Sequence, residues 1–292
     1  MSVKLIFVDV DDTLYSKRNR HVPASARAAL QEAQKNGHKI FVNTGRPLAY
    51  FEQEILDIGF DGMICSNGVY IMIENSLVYH KTVPKDVQKA VMDACVRHHI
   101  FGTLEGEKCS YFRNHDADFH PHYGFMIQAF DLAPEMPHEF SWNHADSCEK
   151  MIIFSGEGSD MPGFLKELDQ LSDVVDYIRI TDDQYEILLK GHSKGTGLRK
   201  AVQYYHTSAD DCYAFGDSNN DTEMIKAAGH GVAMGNACDE LKSIADYVTT
   251  DVDEDGIMNA LKHFKLIYQQ DPETSSNSGS SYFLKRFCLD NF

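Results

Sequence analysis

Three short apolar, β-prone runs, Leu5-Ile6-Phe7-Val8, Ile40-Phe41-Val42 and Cys212-Tyr213-Ala214-Phe215, each give way at once to a polar segment. The segments are Asp9-Val10-Asp11-Asp12-Thr13-Leu14, Asn43-Thr44-Gly45-Arg46 and Gly216-Asp217-Ser218-Asn219-Asn220-Asp221. Stretches of helical length separate such runs, for example 24–36, closed by Gly37. Short strands alternating with helices call for βαβ units and a parallel sheet. In such sheets ligands bind outside the carboxyl ends of the strands, near the point where strand order reverses. Carboxylates, a hydroxyl and glycine turns are thus delivered to one edge. Ser193-Lys194-Gly195, at the head of a further helix over about 194–205, adds a cation.

The first stretch reads as strand 4–10, helix 24–36, strand 39–43, helix 48–58, strand 62–65 and a hairpin through residues 69–79. From Pro84 to about Leu189 helices mix with adjacent strands, the pattern of an α+β unit with an antiparallel sheet. Alternation resumes after Lys194. The expected fold is α/β, a Rossmann-like parallel-sheet core formed by residues 1–82 and 190–268. An α+β cap domain, 83–189, is inserted into it. Two linkers above the active edge suit the cap to act as a lid. Residues 269–292 open with a Ser-rich stretch and read as a disordered tail.

The formal charge of −17 argues against general affinity for nucleic acid or anionic membrane, which needs clustered Lys and Arg. A small anionic ligand stays compatible with it, because a metal reverses the field locally. No run approaches the ~18–20 apolar residues that span a bilayer, and the amino terminus enters a strand with no signal-peptide pattern. Seven scattered cysteines without C-x-x-C spacing fit a reduced compartment. A cytoplasmic protein is expected, with a monomer favoured and the oligomeric state open.

The chemistry of these residue types is that of magnesium-dependent phosphoryl transfer. A phosphate monoester needs an aligned nucleophile, charge neutralisation and a proton for the departing alkoxide. Asp9 is the candidate nucleophile, a carboxylate able to form an aspartyl-phosphate. Asp11 is the candidate acid and base, and crowding of the two carboxylates predicts that one of them is protonated near neutral pH. Asp217 joins Asp9 on Mg²⁺, which prefers oxygen ligands. Thr44 and Gly45 offer a hydroxyl and a turn amide to phosphoryl oxygens, and Lys194 neutralises further charge. Asn220 and Asp221 hold metal waters or Lys194. Arg46 is either a salt-bridged residue at a helix start or a neighbour of the phosphate.

This arrangement resembles the haloacid dehalogenase superfamily, with its D-x-D-x-[TV]-[LV] motif, a Ser or Thr after the second strand, a Lys and an acidic G-D-x-x-x-D motif. The position of the insertion resembles that in the class IIB, Cof-type phosphatases. Ser66-Asn67-Gly68, Gly191 to Gly195 and Gly231-Val232-Ala233-Met234-Gly235-Asn236-Ala237 extend the likeness over residues 4 to about 264. The resemblance implies that the Asp11 carbonyl is a third metal ligand, beside Asp9 and Asp217, and that Asn67 lies near the phosphate. Asp12 departs from the pattern, since many relatives carry Gly there, and it adds negative charge beside Asp11.

His115, His120 and His122 read as a polar cap loop rather than a second metal site. Tyr111, Arg113, Tyr123 and Lys190 are possible cap contacts to substrate, and Trp142 is assigned to packing. The expected activity is Mg²⁺-dependent hydrolysis of a small phosphorylated metabolite, a sugar phosphate foremost, because a cap of about a hundred residues leaves little room for a folded protein. The alternatives are a phosphomutase, a pyridoxal-phosphate or sucrose-phosphate-like phosphatase, and a non-catalytic binder of phosphate esters.

Overall fold

A computed structural model describes residues 3–112, 138–139 and 141–268. The chain forms β1 (Leu5–Val8), β2 (Lys39–Asn43), β3 (Gly62–Cys65), β4 (Tyr70–Ile73) and β5 (Ser76–His80). There follow β6 (Phe101–Glu105), β7 (Ser110–Phe112), β8 (His138–Glu139), β9 (Lys150–Phe154), β10 (Val175–Arg179) and β11 (Gln184–Leu189). Last come β12 (Cys212–Gly216), β13 (His230–Ala233) and β14 (Tyr247–Val248).

One sheet has the order β14-β13-β12-β1-β2-β3-β4-β5 and the other β10-β11-β9-β6-β7-β8. The first is parallel from β14 to β3, as continuous buried runs such as Leu5–Val8 require. β1 pairs with β2 on one side and β12 on the other, so strand order reverses around it. Asp9, Thr44 and Asp217 each follow one of these three strands. At the far edge β4 and β5 form a hairpin. Its loop residues Glu74 and Asn75 are both left-handed (φ 50° and 62°), as a two-residue turn that follows strand twist demands.

Each sheet carries its own apolar core. Phe7, Phe41, Leu198 and Phe215 belong to one, and Val91, Ile100, Phe164 and Ile187 to the other. Trp142 packs in the second, its indole N–H donating to the Gly102 carbonyl at 3.2 Å. Cys65 and Cys212 are buried free thiols, small hydrophobes in their strands. No helix among the described residues is long and apolar enough to cross a membrane.

The single helix expected over 48–58 is broken into a 3₁₀ turn, Leu48–Tyr50, and a short helix, Gln53–Leu56, with Phe51 and Glu52 extended between them. Arg46 is the reason. Its Nη1 donates to Glu52 Oε2 at 2.6 Å and to the Tyr50 carbonyl at 3.1 Å, drawing that carbonyl away from helical pairing, while the Glu52 carbonyl starts the short helix by accepting from the Ile55 and Leu56 amides.

On the second sheet His98 ties the helix Lys85–Arg97 to the helix Met161–Leu168. Its ring nitrogens meet Glu167 Oε1 at 2.8 Å and Asp160 Oδ2 at 3.1 Å. The Glu167 hydrogen bond raises His98 above its ordinary 6.5, and Arg97 and His98 together hold Glu167 down to about 2. The His98 charge therefore favours the fold below 6.5 and ceases to as pH rises through its raised value. The Glu167 charge favours it above 4.5 and ceases to as pH falls toward 2. Titration of His98 followed by NMR is expected to give a midpoint above 6.5 that falls in Glu167→Gln. A wild-type midpoint at or below 6.5 would contradict the pairing.

Candidate active site

The helix Lys194–Tyr204 opens with a capping box: Ser193 Oγ accepts from the Thr196 amide at 3.2 Å, and Thr196 Oγ1 accepts from the Ser193 amide at 2.9 Å. Lys194, next in the chain, is turned inward and only 1% exposed. Asn43, at the end of β2, holds its carbonyl through Nδ2 at 2.9 Å. Lys194 Nζ donates to Asp9 Oδ1 at 2.7 Å, Asp221 Oδ1 at 2.6 Å and Asn220 Oδ1 at 3.1 Å. Burial disfavours the ammonium, but the Asp221 and Asp9 carboxylates outweigh it and keep Lys194 charged. The second oxygen of Asp221 accepts from the Asp217 and Ser218 amides at 3.0 and 3.1 Å. Both oxygens of Asp221 are thereby engaged, and so is Asn220 Oδ1, which also accepts from Ser218 Oγ at 2.9 Å.

Asp9, Asp217 and Asp221 each place a carboxylate oxygen within 4.8 Å of the others. Burial, reinforced by the Asp221, Asp217 and Asp11 charges, pushes Asp9 well above the usual carboxylate range against the pull of Lys194. Burial and Asp221 push Asp217 up to about 6, while Thr13 Oγ1 donates to it at 3.1 Å. Four carboxylates, counting Asp11, face the two cations Lys194 and Arg46. An all-oxygen donor set with surplus negative charge fits a hard divalent cation such as Mg²⁺.

Of the two crowded carboxyls, Asp11 is not the one that is raised. Burial does raise its carboxyl, but Arg46 grips it through Nε at 2.9 Å and Nη2 at 2.7 Å. With Lys17 and Lys194 helping, the balance falls below the usual range. The carboxyls that rise are Asp9 and Asp217. Arg46 is salt-bridged to Asp11 and Glu52 and also lines the cavity beside Asp9 and Thr44, so its two readings are compatible.

Thr44 Oγ1 accepts from the Arg46 amide at 3.1 Å, so its own proton remains to be donated. A Cβ built on Gly45 would lie 3.4 Å from the Asn67 side-chain amide and 3.7 Å from that of Asn220. The bare glycine leaves a hollow between them. Asn67 is 4% exposed, and its Nδ2 has no hydrogen-bond partner among the described residues. Its orientation comes from a left-handed turn, Ser66, Asn67 and Gly68 at φ 49°, 56° and 87°. The Ser66 amide donates to the Arg46 carbonyl at 2.9 Å and the Asn67 amide to the Thr44 carbonyl at 3.1 Å, pinning the turn to the Thr44 loop. Gly68 cannot be replaced cheaply, because a Cβ there would stand 2.5 Å from the Ser193 carbonyl. Gly68→Ala is expected to cost about 2 kcal/mol or more in urea unfolding, through a left-handed backbone and a backbone clash at the base of the Lys194 helix. A loss below about 0.5 kcal/mol would show that the turn relaxes.

Asp12 is left-handed (φ 57°), the conformation in which glycine is most at ease and aspartate is tolerated. Its carbonyl accepts from Asn236 Nδ2 at 2.7 Å and its carboxylate meets Lys17 Nζ at 2.8 Å, so its extra charge is paired.

A cavity of about 440 Å³ opens above these residues, roofed by the second sheet through Glu105, Lys150, Ile152, Gln184 and Glu186. Tyr50, also in its wall, hydrogen-bonds Ser110 of β7. Sequence reading assigned roles to none of these, nor to Thr13 or Asn43. Thr13 lies inside the first motif and Asn43 directly before Thr44, so both carried a signal, whereas the roofing residues carried none. Of the cap candidates, Tyr111 is buried in the cap core and Lys190 donates to the Ser172 carbonyl at 2.5 Å. Arg113, His115, His120, His122 and Tyr123 lie outside the described residues, as does 269–292.

Comparison with known proteins matches residues 6–261 to the haloacid dehalogenase-like hydrolases. The chain is 30% identical over 273 residues to a putative phosphatase, YkrA, of Bacillus subtilis, covering 91% of this chain and all of that protein. It is 28% identical to the pyridoxal phosphate phosphatase YbhA of Escherichia coli, covering 88% of this chain and 97% of that one. Among solved structures, the subclass IIB sugar phosphatase BT4131 superposes with a TM-score of 0.75 at 27% identity, over 91% of this chain and all of that one.

Proposed function

The chain belongs to the haloacid dehalogenase-like hydrolase family, and we propose that it is a Mg²⁺-dependent phosphatase of a small phosphorylated metabolite, a sugar phosphate foremost. The observation that carries this reading is the buried junction in which Lys194 joins Asp9 to Asp221 at the switch point of the sheet, beneath a roofed cavity. The similarity to a sugar phosphatase and to a pyridoxal phosphate phosphatase supports the substrate class.

Asp9 and Asp217, with the Asp11 carbonyl, would hold the metal, which when bound supplies charge neutralisation for the phosphoryl oxygens. Asp221 and Asn220, whose oxygens are already committed, fix Lys194 and the Asp217 turn. With one Asp9 oxygen held by Lys194, the other attacks phosphorus. The P–O bond to the leaving group breaks, and the departing oxygen takes a proton from Asp11. Water then attacks the aspartyl-phosphate and gives its proton to Asp11, freeing phosphate and Asp9. Thr44 Oγ1 and Asn67 Nδ2, which is unpaired among the described residues, donate to phosphoryl oxygens, and Lys194 offsets their charge. Asp11 begins as a carboxylate held by Arg46. An incoming phosphate that competes for this guanidinium releases Asp11 to take up its proton.

Phosphate release is to be measured from sugar phosphates, nucleotides and pyridoxal phosphate, with Mg²⁺ and with EDTA. Release from at least one ester is expected with Mg²⁺ and to fall to background with EDTA. Esters bound but never hydrolysed would overturn the reading in favour of a binding protein. Little free phosphate, together with stimulation by a bisphosphate, would point to a mutase.

A further inference from the structure

The roof of the cavity is itself a charged site that the hydrolytic chemistry does not use. Glu105, the last residue of β6, faces Lys150, the first of β9, in register, and Glu186 comes from the neighbouring β11. Lys150 Nζ lies 3.2 Å from Glu105 Oε2 and 2.7 Å from Glu186 Oε1. Two carboxylates around one ammonium leave the roof with surplus negative charge. Glu105 is 1% exposed, with the Lys150 ammonium and the Tyr50 hydroxyl as its neighbouring donors. It lines the same cavity as Asp9, Thr44 and Arg46. A carboxylate has more acceptor sites than these donors fill, so Glu105 and Glu186 can still receive an O–H or N–H from whatever enters the cavity. The same carboxylates repel a second anion.

Resting on the phosphatase reading, we propose that Glu105, with Lys150 and Glu186, is the subsite for the leaving group. It selects esters whose non-phosphate part is uncharged or cationic and presents a hydroxyl or amino donor. It rejects those that carry a carboxylate or a second phosphate. The phosphate end of the cavity draws any monoester alike, so discrimination falls to the roof.

The test uses three probes with a phosphate at the same carbon: glucose 6-phosphate, glucosamine 6-phosphate and 6-phosphogluconate. In the wild-type protein with Mg²⁺, kcat/KM for the first two is expected to exceed that for the third by about tenfold or more. In Glu105→Gln, which keeps the shape and removes the charge, this ratio is expected to shrink several-fold. Equal or better use of 6-phosphogluconate by wild type overturns the proposal, and so does an unchanged ratio in folded Glu105→Gln. If Glu105→Gln does not fold, the wild-type ranking decides. If nothing is hydrolysed, the phosphatase reading fails by itself. Calorimetric affinities of the three probes for the wild-type protein then judge the subsite, with the same order supporting it and equal affinities overturning it.

Discussion

Asp9→Asn is expected to lose phosphate release by about four orders of magnitude or more while the protein stays folded. The amide fills the same space and can still meet Lys194, which keeps Asp221 and Asn220 as partners. It cannot form an acyl-phosphate, so acid quenching should trap a phosphorylated protein in wild type and none in the variant. Retention of more than about 1% of wild-type activity would remove Asp9 from the role of nucleophile.

The same substitution has a stability signature with a definite sign. Burial and its neighbours raise Asp9 in the folded protein above its ordinary 3.8, so without metal the folded state binds a proton that the unfolded chain releases. The Asp9 contribution therefore grows as pH falls through the raised value toward 3.8 and is lost as pH rises through it. In EDTA, wild-type stability relative to Asp9→Asn is expected to increase on acidification over that window. A difference that does not change with pH would mean that Asp9 is not raised.

Lys194→Met is expected to be the more damaging to the fold. Its removal leaves Asp9 and Asp221 buried and facing each other, only 5% and 0% exposed at their side chains, with no cation between them. Breaking a buried ion pair on one side costs about 3–5 kcal/mol, a loss to be read from urea unfolding in EDTA. Mg²⁺ is expected to restore part of it, because a divalent cation at the same carboxylates supplies charge that the lysine no longer does. Phosphate release should still fall about a thousandfold with Mg²⁺ present, since the metal does not replace a donor on the phosphoryl oxygens. Stability within about 1 kcal/mol of wild type in EDTA would show that Lys194 is not what holds the carboxylates together.

Arg46 and the residues after it show where reading along the chain stopped. A Thr-Gly-Arg turn followed by helix-forming residues reads as one continuous helix. The guanidinium instead spends itself on Asp11, Glu52 and the Tyr50 carbonyl, and the helix breaks. Which of the two crowded carboxyls is raised was hidden for the same reason, because the cation that lowers Asp11 sits 35 residues away in the chain and 2.7 Å away in space. Asn67 entered the sequence reading only through family resemblance. No local pattern shows that three successive left-handed residues turn its amide toward Gly45.

The convergence of Asp9, Thr44, Lys194 and Asp217 was determined by sequence alone. Each follows a buried strand or opens a helix, and a parallel sheet brings the ends of its strands to one edge. The states and the surroundings of those groups were decided by the tertiary structure. Which carboxyl is raised and which lowered depends on burial and on cations from distant segments. The roof of Glu105, Lys150 and Glu186 depends on the register of three strands that are neighbours in the sheet but not consecutive in the chain. Electrostatic energy follows distance in space, and the order of residues in the chain does not record that distance.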